Sequence, residues 1–263
     1  MFFVKNLLLV FLFTFLWVCL LPLYPSVGRT KKDIPDEEYV IGAMMSVCTD
    51  ILPQEALKAI AVTVRTYTAY HGKVLPVTTA ETVALSTSKQ HAESVYEAMK
   101  KAAEETAGEY LTFSGNIINA CFHPSSHKNT ADGDAAYLKS VSTPDESGYP
   151  RFYAESVITA RQVSEYGKGE IVSVSYGSDG KAKFITFEKG EAEAEEFIKR
   201  FAVRSTDFSV SALGDGSYTV ISRGEGNGYG LSLYGAYLMA LEGKDYGQIL
   251  NCYFSGVALT RKT

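Results

Sequence analysis

Hydrophobic residues first form one long block and only later take up helical spacing. No charged side chain occurs between residues 6 and 28, and residues 7–21 are almost wholly Leu, Val, Phe and Trp. About 20 apolar residues in a helix span the hydrocarbon core of a bilayer. We therefore expect residues 1–32 to form an N-terminal membrane anchor, crossing through residues 7–27, and a short linker. A cleaved signal peptide, with Ser26 and Gly28 before the cut, is the alternative.

Apolar positions after the anchor recur every three or four residues, which predicts amphipathic helices. Pro35 stands near the start of a helix that runs to about residue 47. Pro53 opens a second helix, whose buried stripe consists of Leu57, Ile60, Ala61 and Val64. A third helix is expected over residues 89–106, with its charged positions facing solvent.

The period then changes to two, which predicts strands joined by tight turns. One hairpin is expected over residues 110–122 and a second over residues 170–187, with further strands at 137–141, 208–212 and 218–221. Helices are expected at 159–166, 191–201, 232–241 and 246–253. Residues 33–263 therefore predict an α+β fold, a mixed helix and antiparallel-hairpin domain with a central cleft, following one N-terminal transmembrane helix. Any division into halves should fall near residues 145–148.

Charge and cysteine content exclude several classes of site. The net charge is −5, so the chain has no basic field for nucleic acid. The three cysteines after the anchor show no C-x-x-C spacing, and no disulfide framework is indicated. Cys121, His123 and His127 could bring three ligands together, but structural zinc needs four. We expect no metal and no other cofactor.

Three segments, in order along the chain, resemble one protein family. The first contains residues 39–42, 55–59 and 65–67; the second contains residues 108–112, 122–126, Thr130 and 137–141; the third contains residues 223–232, 234–236, Tyr246, 249–250 and Tyr253. Together they resemble the stage II sporulation protein D family, whose other branch is the LytB-type amidase enhancer. The SpoIID-like domain is accordingly assigned to residues 33–263.

The resemblance implies work on the cell wall of an endospore-forming bacterium. Family members act outside the cytoplasm, in the membrane space around the forespore, as lytic transglycosylases on glycan strands that an amidase has stripped of stem peptides. The implied partners are peptidoglycan strands and a cell-wall amidase or another wall-remodelling protein. Lys5 before the apolar block and Arg29, Lys31 and Lys32 after it would instead keep the domain in the cytoplasm. We follow the family and expect a single-pass protein with an extracytoplasmic domain.

The resemblance places the catalytic glutamate eight residues before Glu55, and this chain has Val47 there. Breaking a glycosidic bond needs a proton for the leaving oxygen, which valine cannot supply. Asp50 could stand in for the missing acid if the helix continued one turn past Val47. Glu225, in the glycine-rich segment, is a second candidate acid, although solvation alone would explain it.

Other polar positions of the family pattern have changed as well. Asn227 replaces the histidine of the family's Gly-His-Gly, and Leu233 replaces the glutamine of its Ser-Gln pair. Residues 123–128, His-Pro-Ser-Ser-His-Lys, stand where the family has a His-Ser-x-Ser-Gly-Gly loop. We expect a peptidoglycan-binding protein with weakened or lost transglycosylase activity; an active enzyme that uses Asp50 is the alternative. The residues expected to line the substrate cleft are His123, Ser125, Ser126, Arg223, Asn227 and Ser232.

Overall fold

The computed structural model describes residues 35–261, and their helices and strands alternate along the chain. The helices are α1 (Glu37–Val47), α2 (Gln54–His71), α3 (Ala80–Ala84), α4 (Lys89–Glu105), α5 (Ala160–Tyr166), α6 (Ala194–Phe201), α7 (Leu233–Leu241) and α8 (Tyr246–Tyr253). The strands are β1 (Glu109–Phe113), β2 (Asn116–Ile117), β3 (Phe122–His123), β4 (Tyr153–Ile158), β5 (Ile171–Tyr176), β6 (Ala182–Phe187), β7 (Gly190–Glu193), β8 (Phe208–Ala212), β9 (Tyr218–Arg223), β10 (Leu231–Ser232) and β11 (Ala258–Arg261).

The chain divides into two compact units. Among residues 35–261, the first comprises residues 35–121 and 239–261, and the second comprises Phe122–Leu238. The division therefore falls after residue 121 and after residue 238, not near residues 145–148. The reason is that the C-terminal strand β11 pairs with β1 and returns the end of the chain to the first unit.

Helices α1 to α4, helix α8 and the sheet β11-β1-β2 lie in the first unit. The predicted stripe of α2 is confirmed, since Leu57, Ile60, Ala61 and Val64 are all buried. Between β1 and β2, Ser114 and Gly115 both have positive φ, 49° and 77°. Two such residues make the turn that fits the twist of a hairpin. The second strand ends at Ile117, well before the predicted residue 122.

A buried arginine joins three helical segments of the first unit. The Arg65 side chain is fully buried, and its Nε and Nη2 donate to the two carboxylate oxygens of Glu37, at 3.0 and 2.6 Å. Nη2 also donates to the carbonyl of Ala103 at 3.0 Å. A planar guanidinium suits this two-point contact. The interaction ties the start of α1 to α2 and to the end of α4.

Two three-stranded antiparallel sheets, β4-β9-β8 and β5-β6-β7, form much of the second unit. Their shared core is aromatic, and Phe197 stacks on Phe208 with ring centroids 5.2 Å apart. The expected helix over residues 191–201 begins only at Ala194. Residues 190–193 form β7 instead, because they pair with β6.

The predicted strand at residues 137–141 is wrong. This segment folds back as a loop, in which Gly133 N donates to Leu138 O at 2.7 Å and Thr130 N donates to Val141 O at 2.9 Å. Its alternating pattern reflects burial of Leu138 against the loop rather than sheet pairing.

The fold-class prediction needs a correction at its N-terminal element. The mixed α+β character stands, but none of the helices within residues 35–261 has the length and apolar content to cross a membrane. The predicted transmembrane helix, residues 7–27 of the anchor assigned to residues 1–32, lies outside the described residues. Long apolar runs do not decide by themselves between a spanning helix and a signal segment.

We expect the Glu37→Ala substitution to lower the free energy of unfolding by about 2 kcal/mol, because it leaves a buried guanidinium without its carboxylate partner. Chemical denaturation of the purified protein measures this. Glu93→Ala is the control, since it breaks an exposed ion pair of α4 and should change stability by less than about 0.5 kcal/mol. Equal effects of the two substitutions would contradict the structural role of Arg65.

Candidate functional site

Two of the motif segments meet where β3 pairs with β10. This short pair is parallel, with Leu231 opposite Phe122 and Ser232 opposite His123. Just beyond it, Ser125 and Glu225 exchange backbone hydrogen bonds of 3.3 and 2.8 Å. Residues that lie about 100 positions apart in sequence are therefore neighbours in the second unit.

Close backbone approach explains two glycines of the third segment. Gly224 has φ +72°, and a Cβ atom there would lie 2.6 Å from the carbonyl oxygen of Ser125. Gly226 has φ +99°, and a Cβ atom would lie 2.8 Å from the Cβ of His123. Both the conformation and the contact require glycine. The glycine-rich segment thus packs against the loop after β3 instead of standing free.

A buried carboxyl group, Glu146, lies at the centre of this region. The Glu146 side chain is almost completely buried, and its Oε2 accepts hydrogen bonds from Ser232 Oγ at 2.7 Å and Ser126 N at 2.8 Å. Burial raises its pKa to about 7, although the bonds from Ser232 and Ser126 oppose that shift. Because Oε2 accepts both bonds, the proton of the neutral form belongs on Oε1.

His123 extends this network. Its Nδ1 lies 3.0 Å from the carbonyl oxygen of Tyr229, which can only accept, so Nδ1 carries the proton. Nε2 then accepts from the Ser126 hydroxyl at 2.6 Å. Burial lowers the pKa of His123 to about 4, and the ring is neutral at physiological pH.

Ser126, His123 and Glu146 form a hydrogen-bonded network that is buried from solvent. Ser126 and His123 have the spacing of a nucleophile and its base, but their exposed fractions are only 3% and 2%. The second ring nitrogen is held by a carbonyl rather than a carboxylate. A substrate atom has no approach to the Ser126 hydroxyl. The network therefore holds the motif loops together, as satisfied buried polar groups do.

The structure brings together four of the six residues expected to line the cleft. His123, Ser126 and Ser232 belong to the network around Glu146, and the hydroxyl of Ser125 lies near the same carboxyl without a well-aligned hydrogen bond. Arg223 and Asn227 form hydrogen bonds outside this network. The Arg223 carbonyl accepts from Ser205 Oγ at 2.6 Å, and Asn227 Oδ1 accepts from Tyr229 N at 3.2 Å.

The sequence suggested that Glu225 is a solvated residue of a glycine loop, and the structure shows instead that it is buried. Its carboxylate is buried, pairs with Arg151 at 2.9 Å and accepts from the Tyr149 hydroxyl at 2.8 Å. Both contacts hold the turn that carries Glu146 against the glycine-rich segment. Burial raises the pKa of Glu225, and the Arg151 charge opposes that shift.

The Cys121, His123 and His127 spacing does not assemble three ligands. Within residues 35–261, no group of three His, Cys, Asp or Glu side chains is placed to hold a metal ion. Both nitrogens of His123 already have partners, and His127 Nδ1 lies 3.0 Å from Asp207 Oδ2.

The first unit contains the position expected for the catalytic acid. Val47 is the last residue of α1 and is buried. Cys48 is already extended, with φ −149° and ψ 129°, so the helix does not continue to Asp50. Asp50 was expected to stand in for the missing acid only if the helix continued for one more turn, and α1 does not continue. Burial does raise the pKa of Asp50.

Comparisons with known proteins support the SpoIID family. The SpoIID family model, described as Stage II sporulation protein, matches residues 28–113. Stage II sporulation protein D of Bacillus subtilis (strain 168) is 28% identical over 270 residues, covering 91% of this chain and 78% of that protein. The corresponding protein of Bacillus amyloliquefaciens is 27% identical, with the same two shares. An amidase enhancer of Bacillus subtilis (strain 168) is 34% identical over 89 residues, which cover 34% of this chain and 12% of that protein.

These matches support the SpoIID family, through a domain match over residues 28–113 and a similarity to stage II sporulation protein D that spans 91% of the chain. Against the family pattern, the polar motif positions divide into two groups. The positions that keep the family's residue types, His123, Ser126 and Ser232, are the ones buried in the Glu146 network. The positions that depart from the family pattern, Val47, Asn227 and Leu233, make no hydrogen bond to that carboxyl. The three residues that keep the family's types thus lie in hydrogen-bonded contact with the packed loops, through the Glu146 network.

Sequence reasoning missed Glu146, the residue on which this network depends. It occurs in the segment Asp145-Glu146-Ser147-Gly148, whose composition indicates only an exposed turn. Its burial comes from partners 20 and 86 residues away. Short-range spacing therefore holds no signal that could have found it.

The raised pKa of Glu146 predicts a pH-dependent stability. The ordinary value is 4.5 and the folded value is about 7, so folding holds a proton that the unfolded chain releases between these pH values. The contribution of this carboxyl to the free energy of unfolding should be greatest below pH 4.5 and fall by on the order of 3 kcal/mol as pH rises from 4.5 through 7. Glu146→Gln removes this titration, so its Tm relative to wild type should rise between pH 4.5 and 7.5.

Thermal unfolding at a series of pH values measures this difference. Glu242→Gln, at an exposed position, is the control and should follow the wild type throughout. A constant difference between Glu146→Gln and wild type across this range would show that the carboxyl titrates normally.

Proposed function

We propose that this protein binds and helps remodel peptidoglycan during sporulation, with weakened or lost lytic transglycosylase activity. It works outside the cytoplasm, at the wall around the developing forespore, on glycan strands whose stem peptides have been removed. The names of its relatives, stage II sporulation protein D and amidase enhancer, support the link to sporulation and to a cell-wall amidase.

The observation that carries this proposal is the side chain at position 47. Cleavage of a glycosidic bond needs a proton donor at the leaving oxygen, and the family supplies it from this position. Valine has no titratable group. Its burial at the end of α1 makes it part of the apolar core. Loss of a general acid alone lowers rates by roughly 10²- to 10⁴-fold.

The division among the motif residues supports a binding role. A fold released from catalytic selection keeps the residues that its packing needs. The Ser232 hydroxyl and the Ser126 backbone N–H donate to the buried carboxyl, and the Ser126 hydroxyl donates to His123. Replacement of Ser232 would remove one of the two donors to that carboxyl, and replacement of His123 would leave the buried Ser126 hydroxyl without its acceptor. Asn227 and Leu233 make no hydrogen bond in the Glu146 network, so residues at these positions could change without loss of its contacts.

A second candidate function, an active transglycosylase, draws support from Asp50. A general acid needs a pKa near the working pH, and burial shifts the pKa of Asp50 in that direction. Against it stands the extended backbone after Val47, which takes residue 50 off the helix that carries the family acid.

Digestion of denuded glycan strands tests the two functions against each other. We expect the wild-type chain to release no 1,6-anhydro-muramyl ends and Val47→Glu to release them, because the substitution restores an acid at the family position. Mass analysis of the soluble products measures this. Val47→Gln is the matched control, since it places a polar side chain of the same length without a proton to donate.

Product from the wild-type chain would contradict the loss of activity. In that case Asp50→Asn identifies the donor, because loss of product in this variant would assign the proton to Asp50. Thermal unfolding of each variant should accompany the assay, since a carboxyl at a buried position is costly to accommodate.

A further inference from the structure

A polar cavity of about 710 Å³ opens in the second unit, apart from the Glu146 network. Its walls come from residues 127–129, Asp132, residues 139–142, residues 178–180 and Asp207. This volume is in the range of pockets that hold small ligands, roughly 300–1,000 Å³. Hydroxyl, amide and charged groups dominate the lining, which suits a ligand with many hydroxyls better than an apolar one.

One wall of the cavity is fixed by a buried lysine. Lys181 is 3% exposed, and its Nζ donates to Asp207 Oδ2 at 2.8 Å and to the carbonyl of His127 at 2.9 Å. His127 Nδ1 lies 3.0 Å from the same Asp207 oxygen. The His127 ring also packs edge-on against Phe152. The backbone that leads into residue 128 is therefore held in place without a ligand.

The charges of the cavity are paired, with one exception. Asp207 pairs with Lys181 at 2.8 Å, Asp179 with Lys183 at 3.0 Å, and Asp132 with Lys139 at 3.7 Å. Lys128 also lines the cavity and is exposed, and its ammonium group has no hydrogen bond or ion pair within residues 35–261. Of the two lysines that line the cavity, Lys139 has a carboxylate partner and Lys128 has none among the described residues.

Lys128 holds that charge at a conformational cost. Its φ is +64°, in the left-handed region that disfavours every residue with a Cβ. Hydrogen bonds on both sides keep it there, Asn129 N to His127 O at 2.8 Å and Thr143 N to Lys128 O at 2.9 Å. The family pattern has glycine at this position, the residue that would avoid the strain. Strained residues concentrate where ligands bind.

We propose that this cavity binds a sugar carboxylate, with the Lys128 ammonium as its counter-ion and the exposed hydroxyls of Ser142 and Ser178 facing the sugar hydroxyls. Resting on the proposed function, the inference assigns this carboxylate to the lactyl group of muramic acid. That group is a neutral amide while the stem peptide is attached and carries a negative charge after the peptide is hydrolysed. Lys128 thus distinguishes stripped glycan from glycan that carries peptides.

Binding of the full-length chain to two forms of one glycan tests this. The probes are denuded strands freed of wall phosphate polymers, and the same strands with their carboxylates converted to amides. The wild-type chain should bind the carboxylate form about two- to fivefold more tightly, the effect of one exposed ion pair. Lys128→Gln and Lys128→Gly should bind both forms with the weaker affinity. Lys189→Gln, at an exposed turn of the same unit, should behave as wild type.

Lys128→Gly also separates binding from folding. Glycine adopts φ +64° without strain, so its Tm should equal or exceed that of the wild type while the preference for carboxylate is lost. Retention of that preference by both Lys128 variants would overturn the inference and leave the proposed function standing, as would a wild-type chain that binds both forms equally. Failure of the wild-type chain to bind either form would overturn the proposed function and this inference with it.

Discussion

Burial of the Glu146 carboxyl is the constraint on which the motif-bearing part of the second unit depends. A carboxyl group removed from water must be neutral or be supplied with donors. Here the donors are Ser232, which follows the glycine-rich segment, and the backbone of Ser126, in the loop after β3. These loops can satisfy the carboxyl only if β3 and β10 lie side by side. One buried group thereby fixes the register of segments that are distant in sequence.

This constraint separates structure from catalysis within one set of motif residues. Residues with polar side chains at recurring motif positions invite a catalytic interpretation, and Ser126 with His123 has the spacing of a nucleophile and base. Their burial and the carbonyl partner of His123 give them a different task. These contacts give the fold a reason to keep His123, Ser126 and Ser232 that is independent of the residue at position 47.

Helices and turns could be predicted from the sequence where the hydrophobic pattern or the backbone preference of neighbouring residues determines them. The stripe of α2 and the Ser114–Gly115 turn are set by spacing and by backbone preference within a few residues. Two segments were assigned wrongly: residues 190–193 pair with the preceding strand β6 instead of beginning the helix, and residues 137–141 fold back on residues 130–133 instead of entering a sheet. The residue pattern within each segment does not show which partner its backbone takes. Family resemblance singled out His123, Ser126 and Ser232, which the structure brings into one region; their place in a substrate cleft stays a prediction. It could not supply Glu146, whose burial depends on contacts across 86 residues.

Ser232→Ala tests most directly whether the retained motif residues serve the fold. The substitution removes one donor to Glu146 and the acceptor of Gly235 N, and it should lower the free energy of unfolding by about 1–3 kcal/mol. Affinity for denuded glycan, measured on the folded protein well below its Tm, should stay within about twofold of wild type, a change of about 0.4 kcal/mol. Loss of glycan binding with unchanged stability would contradict the account, since it would mean that Ser232 contacts the ligand.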